Sequence, residues 1–361
     1  MCAPVERKLN RLWLTPGLTR ARACPACSFT TIDPNVGYGF IEKEAPPQIR
    51  GADGDPARHE IEVTLKDVAG LVPGAWQGVG KGNRFLNDLV DADALVHIVD
   101  ASGGADDGGN KGSETEQAGD PVLDVRWIYA ELHRWIFGNV WAKSRSRQAD
   151  PGRFAGLFTG YNAVADDALE AMRRAGINLE EWHLMGVLDR ATVHRIVAHF
   201  LRLRFPTLLA CNKDDDPRSA ENIARMREAF PHERCVSVSA LRRTGVRAAL
   251  RAAVDLRRPL YVYNLRPGRT LRPGQRQVAS ADTVCRLFRP LSTVNDCYEY
   301  WHHNVCDESL ALPGELMRAE FLAGDGARRV AKKSDALVSE TVVVLMTNRK
   351  RQSWQQNGGN G

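Results

Sequence analysis

Residues 59–70 read His-Glu-Ile-Glu-Val-Thr-Leu-Lys-Asp-Val-Ala-Gly, and the change of character at Asp67 decides the fold. Through Lys66, apolar and polar side chains alternate with period two, the pattern of a strand buried on one face. Asp67-Val-Ala-Gly70 then breaks the alternation and reads as a loop. Further on, residues 94–99, Ala-Leu-Val-His-Ile-Val, make a short continuous apolar run closed by Asp100, as expected of a strand in a parallel sheet covered on both faces. Between the two, Asn83 to Leu89 sets Phe85, Leu86 and Leu89 on one side of a helix. Strand, loop, helix and strand form the repeating unit of an α/β sheet, the expected fold class.

The next stretch interrupts this unit. Residues 103–119 are Gly, Asp, Asn, Ser and Glu with little to bury, and are expected to form a mobile loop. In 121–142, Val122, Val125, Ile128, Leu132, Trp135, Ile136 and Val140 recur every three or four residues, giving one apolar helical stripe. Stretches 162–175 and 190–204 repeat the pattern, so a helical insertion is expected at 103–204. The sheet resumes at 206–211, Pro-Thr-Leu-Leu-Ala-Cys, ahead of Asn212-Lys213-Asp214-Asp215. Asp216-Pro217 then supplies an N-cap and a first-turn proline for a helix to about residue 230. A strand at 234–238 leads into Ser239-Ala240, and a helix over 244–257 closes the domain.

Beyond Arg258 the pattern turns to short strands at 260–265, 283–287 and 342–346, a Gly/Pro-rich stretch at 267–275, and one helix near 293–303. The expected organisation is an atypical segment 1–28, an α/β domain 29–258, a small α+β domain 259–348 and a polar, disordered tail 349–361.

Composition narrows the function. At 361 residues the chain exceeds one usual core, and 43% hydrophobic with 26% charged residues excludes global disorder and a fibrous fold. No run approaches the ~18 apolar residues of a membrane span, and MCAPVERKLNRLWL lacks the apolar core of a secretory signal. A cytoplasmic protein without membrane partners is expected. The eight cysteines are scattered as reduced thiols would be, and Cys24-Pro-Ala-Cys27, the only CxxC, has no second pair at zinc spacing. Charge is uneven: twelve arginines in 241–290 face only Asp255 and Asp282, so that stretch is +10 within a chain of +5. Arginine forks at this density suit phosphate contacts, and equally a solvated basic face.

Asp67 can hold a magnesium-bound water, and Gly70 can bring its backbone N–H to a terminal phosphate without a side chain in the way. As an isolated tetrapeptide, DxxG is more often an ordinary turn. The Asn212-Lys213-Asp214-Asp215 run is sharper. Asp215 can accept from the N1 and N2 donors of guanine, a pair that adenine lacks, while Asn212 meets the opposite edge and the stem of Lys213 lies along the base plane. Ser239-Ala240, after its own strand, would close over the base. Upstream, Thr30 and Thr31 in Phe29-Thr-Thr-Ile-Asp-Pro-Asn35 offer hydroxyls for magnesium and the terminal phosphate, or a plain hydroxyl turn before a strand.

Together FTTIDPN, DVAGLVPGA, GNRFLNDLVDADALVHIVDASG, NKDD and SA resemble the Obg-type GTPases, specifically the YchF-like archaeal and eukaryotic branch. The C-terminal FRPLSTVNDCYEYWH and GARRVAKKSDALVSETVVVLMTN resemble that branch's TGS domain, so the similarity spans about residues 28–348. The resemblance implies a P-loop NTPase-like (TRAFAC) G domain with a helical insertion and a ubiquitin-like TGS domain. It also implies GTP or GDP as ligand, hydrolysis with Mg2+, and association with ribosome or RNA. Some YchF proteins alter the NKxD pattern and prefer ATP. Here Asn212, Lys213 and Asp215 keep it, which favours GTP. Leu71 stands where many GTPases place a water-orienting glutamine, so slow or partner-dependent hydrolysis is expected.

One departure stands out. The sequence contains no G-x-x-x-x-G-K-[ST] phosphate loop, and Gly78-Val-Gly-Lys-Gly82 has neither the spacing nor the hydroxyl. In the family that loop precedes the threonines, within what is here 1–28. An altered or incomplete sequence is expected ahead of a viable degenerate GTPase, because loss of a central strand would expose the edges of its neighbours. The alternative function is a non-catalytic RNA- or ribosome-binding adaptor using the 241–290 arginines and the TGS domain.

Overall fold

The computed structural model describes residues 35–51, 54–68, 74–77, 88–104, 119–147, 150–163, 165–184, 187–272, 274–303, 310–323, 325 and 327–348. In chain order its elements are β1 (Asn35–Glu44), β2 (Ile49–Arg50), β3 (Arg58–Asp67), β4 (Leu95–Asp100), α1 (Pro121–Ser144), α2 (Pro151–Ala155), α3 (Ala165–Arg174), α4 (Arg190–Arg204), β5 (Thr207–Asn212), α5 (Ser219–Ala229), β6 (Arg234–Ser237) and α6 (Val246–Asp255). They continue with β7 (Leu260–Leu265), β8 (Val278–Ala279), β9 (Thr283–Phe288), α7 (Val294–His303), β10 (Leu316–Leu322), β11 (Arg328–Ala331) and β12 (Thr341–Thr347). Of the described residues, 35–39 and 64–257 form one compact unit, and 40–63 with 258–348 form a second.

In the first unit β4, β5 and β6 form a parallel three-stranded sheet with β5 in the middle. Every residue of β5 is buried, which is what a continuous apolar run requires. Leu209 and Cys211 face a cluster with Val122 and Val125 of α1 and Ile223 and Met226 of α5. Leu208 and Ala210 face the opposite way, against Val246, Ala249 and Ala252 of α6. A helix therefore covers each face of the strand that ends in Asn212.

The helices α1 to α4 share a core built from Leu132, Ile136, Phe154, Phe158, Met172, Val193, Ile196 and Phe200. Asp120, Asp150 and Asp189 begin α1, α2 and α4 by accepting from Val122 N, Arg153 N and Thr192 N, and proline follows the first two caps. At the end of α4, Arg204 is 2% exposed. It donates to the carbonyls of Tyr161 at 2.8 Å, Ala92 at 2.7 Å and Val90, tying the helical layer to the turn that enters β4.

Two expectations are corrected. Residues 59–66 do not join β4 in one sheet: β3 pairs with β1 in a separate two-stranded sheet, consistent with the solvent-exposed Glu60, Glu62 and Thr64 along one of its faces. The helix expected from Asp216-Pro217 starts at Ser219. Instead of capping, the Asp216 carboxylate accepts from Arg218 N at 3.0 Å and from the Arg218 guanidinium, which closes a turn and holds the carboxyl down at about 2. The helix expected over Asn83–Leu89 falls mostly outside the described residues, with 88–90 helical. The expected 103–119 loop, apart from its ends, the 1–28 segment with Cys24 and Cys27, the Gly78–Gly82 run and the 349–361 tail also lie outside them.

The second unit holds a five-stranded sheet of order β11-β10-β12-β7-β9. Its first and last long strands, β7 and β12, run parallel at the centre, and the flanking pairs are antiparallel. That is the strand plan of a ubiquitin-like domain. Val294, Cys297, Tyr298 and Trp301 of α7 pack with Val262, Phe288, Phe321 and Val343 of the sheet. A two-residue parallel pair joins β2 to β8.

Candidate nucleotide site

The loops that follow β4, β5 and β6 leave the same, carboxyl end of a parallel sheet, where open α/β folds bind ligands. Asn212 is the last residue of β5 and is 6% exposed. Its Oδ1 accepts from Ala240 N at 3.1 Å, and its carbonyl accepts from Ala101 N at 2.9 Å. One side chain thus joins the loops after β5 and β6, while the backbone bond ties in the loop after β4.

The chain then reverses sharply. Lys213 has φ +66°, a conformation that side chains other than glycine adopt at a cost, and its carbonyl accepts from Asp216 N at 3.0 Å. Asp214 N donates to Val238 O at 3.2 Å. Lys213 Nζ donates to Asp100 Oδ2 at 2.7 Å, and the Asp100 side chain is 9% exposed. Asp215 accepts on Oδ1 from the hydroxyl of Ser239. Ser239 is fully buried, and its turn is fixed by reciprocal backbone bonds with Thr244 at 3.0 and 3.1 Å.

Asn212, Lys213, Asp215, Ser239 and Ala240 are therefore brought together by direct bonds between segments 24 to 28 residues apart. The short strand after Phe230 and the turn at Gly245, with φ +76°, set the second segment over the first. Such a cage offers a carboxylate with lone pairs beyond the one used by Ser239, an amide, and an aliphatic stem, which together match the edge and face of a purine carrying paired donors. Asp67 ends β3. Thr30, Thr31 and Gly70 lie outside the described residues.

Two further residues were not singled out by the sequence. Asp100 shows in sequence only as the acid that ends an apolar run. Glu131 of α1 is 2% exposed and accepts from Gly74 N at 3.2 Å and Trp76 N at 3.4 Å, in the segment that follows the DxxG motif. Its position on the helix face, among apolar neighbours, gave no signal of a remote partner.

A magnesium ion fits what is described only in part. Among the described residues no three His, Cys, Asp or Glu side chains come together to hold a metal. Mg2+, however, is commonly held by one or two protein oxygens together with water and phosphate, and Asp67 at the end of β3 is one oxygen donor of that kind.

The fold and these motifs define a mixed α/β chain, with a parallel sheet in one unit and a ubiquitin-like strand plan in the other. A solved GTP-binding protein from Pyrococcus horikoshii shares the fold, with a TM-score of 0.57 over 87% of this chain and 93% of that one at 19% identity. No family model matches the chain. It is 36% identical over 234 residues to a GTP-binding protein of Schizosaccharomyces pombe, covering 59% of this chain and 54% of the relative. To a GTP-binding protein of Methanocaldococcus jannaschii it is 34% identical over 245 residues, covering 64% and 60%. A third match, 33% identical over 106 residues, covers 29% of this chain and 27% of the Bacillus subtilis ribosome-binding ATPase YchF. The homologues of this chain are GTP-binding proteins of the YchF/Obg type. The chain spans little more than half the length of the first two relatives.

Proposed function

We propose that this chain binds guanine nucleotide through Asn212, Lys213 and Asp215, with Ser239-Ala240 buttressing the base. The observation that carries the reading is the pair of bonds from Ser239 to Asp215 and from Ala240 to Asn212, which orient both recognition groups from the loop after β6. The relatives named as GTP-binding support it. When bound, Mg2+ neutralises phosphate charge, and Asp67 with Thr30 or Thr31 would hold it while Gly70 meets the terminal phosphate. With Leu71 after the DxxG motif, the chain itself offers no glutamine there to orient water, so hydrolysis is slow or takes its missing group from a partner.

The test is titration of the 361-residue chain with a fluorescent GDP analogue and magnesium, beside Asp215→Ala and with an ATP analogue as competitor. Micromolar or tighter binding, lost in Asp215→Ala and indifferent to ATP, is the expected result. A folded chain that binds neither nucleotide would overturn it.

A ribosome- or RNA-associated role in the cytoplasm is the second part of the proposal. Among the described residues no helix is long and apolar enough to cross a membrane. Nine of the twelve arginines of 241–290 are solvent-exposed, namely 242, 243, 247, 258, 266, 269, 272, 276 and 289, and the YchF relative is named for ribosome binding. Exposed guanidinium groups supply the sequence-independent phosphate contacts of RNA. RNA affinity that falls steeply with added salt supports this role, and binding indifferent to salt counts against it.

A further inference from the structure

Asp100 and Asn212 end neighbouring strands in register, and the backbone bond from Ala101 to Asn212 locks those ends together. From there the Lys213 side chain runs back to Asp100, so its charge is spent on a carboxylate of its own sheet. That carboxylate is held from its other side: Oδ1 accepts from the Ser102 hydroxyl at 2.7 Å and from Ser102 N at 3.2 Å. The same Ser102 oxygen lies 3.5 Å from Lys213 Nζ and accepts from Gly104 N at 3.3 Å. Asn222 of α5 completes the frame by donating to Ala101 O at 2.9 Å.

An almost buried carboxylate carries a desolvation cost that only well-placed donors offset, and here an ammonium, a hydroxyl and an amide are aimed at it. Lysine, in turn, has a long stem with many rotamers, most of which would leave the space beside Asn212 and Asp215 unwalled. We propose that Asp100 is a positioning residue for guanine recognition: it anchors the Lys213 ammonium so that the aliphatic stem stands as a fixed wall for the face of the base. This inference rests on the guanine reading above. It assigns the ordering of Lys213 to the empty protein, so that this freedom is not lost when ligand binds. Asparagine at position 100 would keep the shape and the Ser102 bonds but lose the ion pair.

The experiment compares wild type, Asp100→Asn, Lys213→Met and the double variant in full-length protein. Affinity for the fluorescent GDP analogue is one readout. The other, taken without nucleotide, is the acylation rate of each lysine with an amine-reactive acetyl ester followed by mass spectrometry. Expected are about tenfold weaker binding in Asp100→Asn at an unchanged melting temperature, no additional loss when Lys213→Met is added, and faster acylation of Lys213 but not of Lys66. Wild-type affinity in Asp100→Asn, additive losses in the double variant, or unchanged Lys213 acylation would each overturn the proposal while leaving guanine binding intact. A wild-type chain with no affinity for the analogue would instead overturn the guanine reading, and this proposal with it.

Discussion

Ser239 donates its hydroxyl hydrogen to Asp215 and accepts from Arg242 N at 3.0 Å, so a single fully buried oxygen couples the Asp215 carboxylate to the turn after β6. The order of these bonds matters. The Arg242 amide sets the hydroxyl rotor, and the rotor sets the carboxylate.

Replacing Ser239 with alanine removes both bonds at once. A hydrogen bond to a charged partner contributes about 1.5–3 kcal/mol, and about 1.4 kcal/mol corresponds to a tenfold change in affinity. Ser239→Ala is expected to bind the GDP analogue at least tenfold more weakly, with a loss of about 1–2 kcal/mol in unfolding free energy from the unpaired Arg242 amide. Parallel nucleotide and urea titrations read the two effects separately. Unchanged nucleotide affinity would place Asp215's orientation under other control.

Gly245 decides whether that turn can exist. Its φ is +76°, and a Cβ there would sit 2.2 Å from Ser237 O and 3.1 Å from Val238 Cα, both backbone atoms that cannot step aside. Gly245→Ala is expected to cost about 3 kcal/mol or more in urea unfolding, from strain and overlap combined. Arg243, exposed at φ +58°, gives the opposite sign: Arg243→Gly relieves an unfavourable backbone conformation and should be neutral or slightly stabilising.

The sequence made legible whatever depends on local pattern. The apolar run ending at Cys211, the period of 190–204 and the NKxD and SA motifs each name their own element, and α4 falls on its expected residues. What stayed hidden depends on partners distant in sequence. Strand β10 was missed because Arg318 and Glu320 interrupt its apolar pattern, yet Glu320 is 5% exposed since Arg318 and Arg328 pair with its two oxygens. Strand β1 was missed because Gly37, Gly39 and the charged residues 42–44 dilute its alternation. Asp100 was legible as a strand end but not as the anchor of a lysine 113 residues away.

Glu131 belongs to the same class of hidden partner, and it bears on the segment after the DxxG motif. With its carboxylate removed, the Gly74 and Trp76 amides lose their acceptor in a nearly closed site. Glu131→Ala is expected to lower stability by about 1–3 kcal/mol and to accelerate tryptic cleavage after Lys81 or Arg84, just downstream in sequence. Glu131→Gln, which keeps one acceptor oxygen, should lie between the two. Cleavage at the same rate in all three proteins would show that the segment is held by Trp76 packing alone.

His97, in the strand that ends at Asp100, sets an acid limit on the whole arrangement. Burial holds its imidazole well below the ordinary histidine value, at about 4. The unfolded chain, near 6.5, takes up the proton first, so the stability that neutral His97 contributes is fully present above about pH 6.5 and is lost as pH falls toward 4. At pH 4.5 the loss from this residue is about 2 kcal/mol. His59, His194 and His199 are also lowered by burial and act with the same sign, so the diagnostic quantity is a difference between proteins. Urea unfolding of wild type and His97→Leu at pH 7 and pH 4.5 should show the variant losing about 2 kcal/mol less on acidification. Equal losses would mean that His97 is charged in the folded protein well above pH 4.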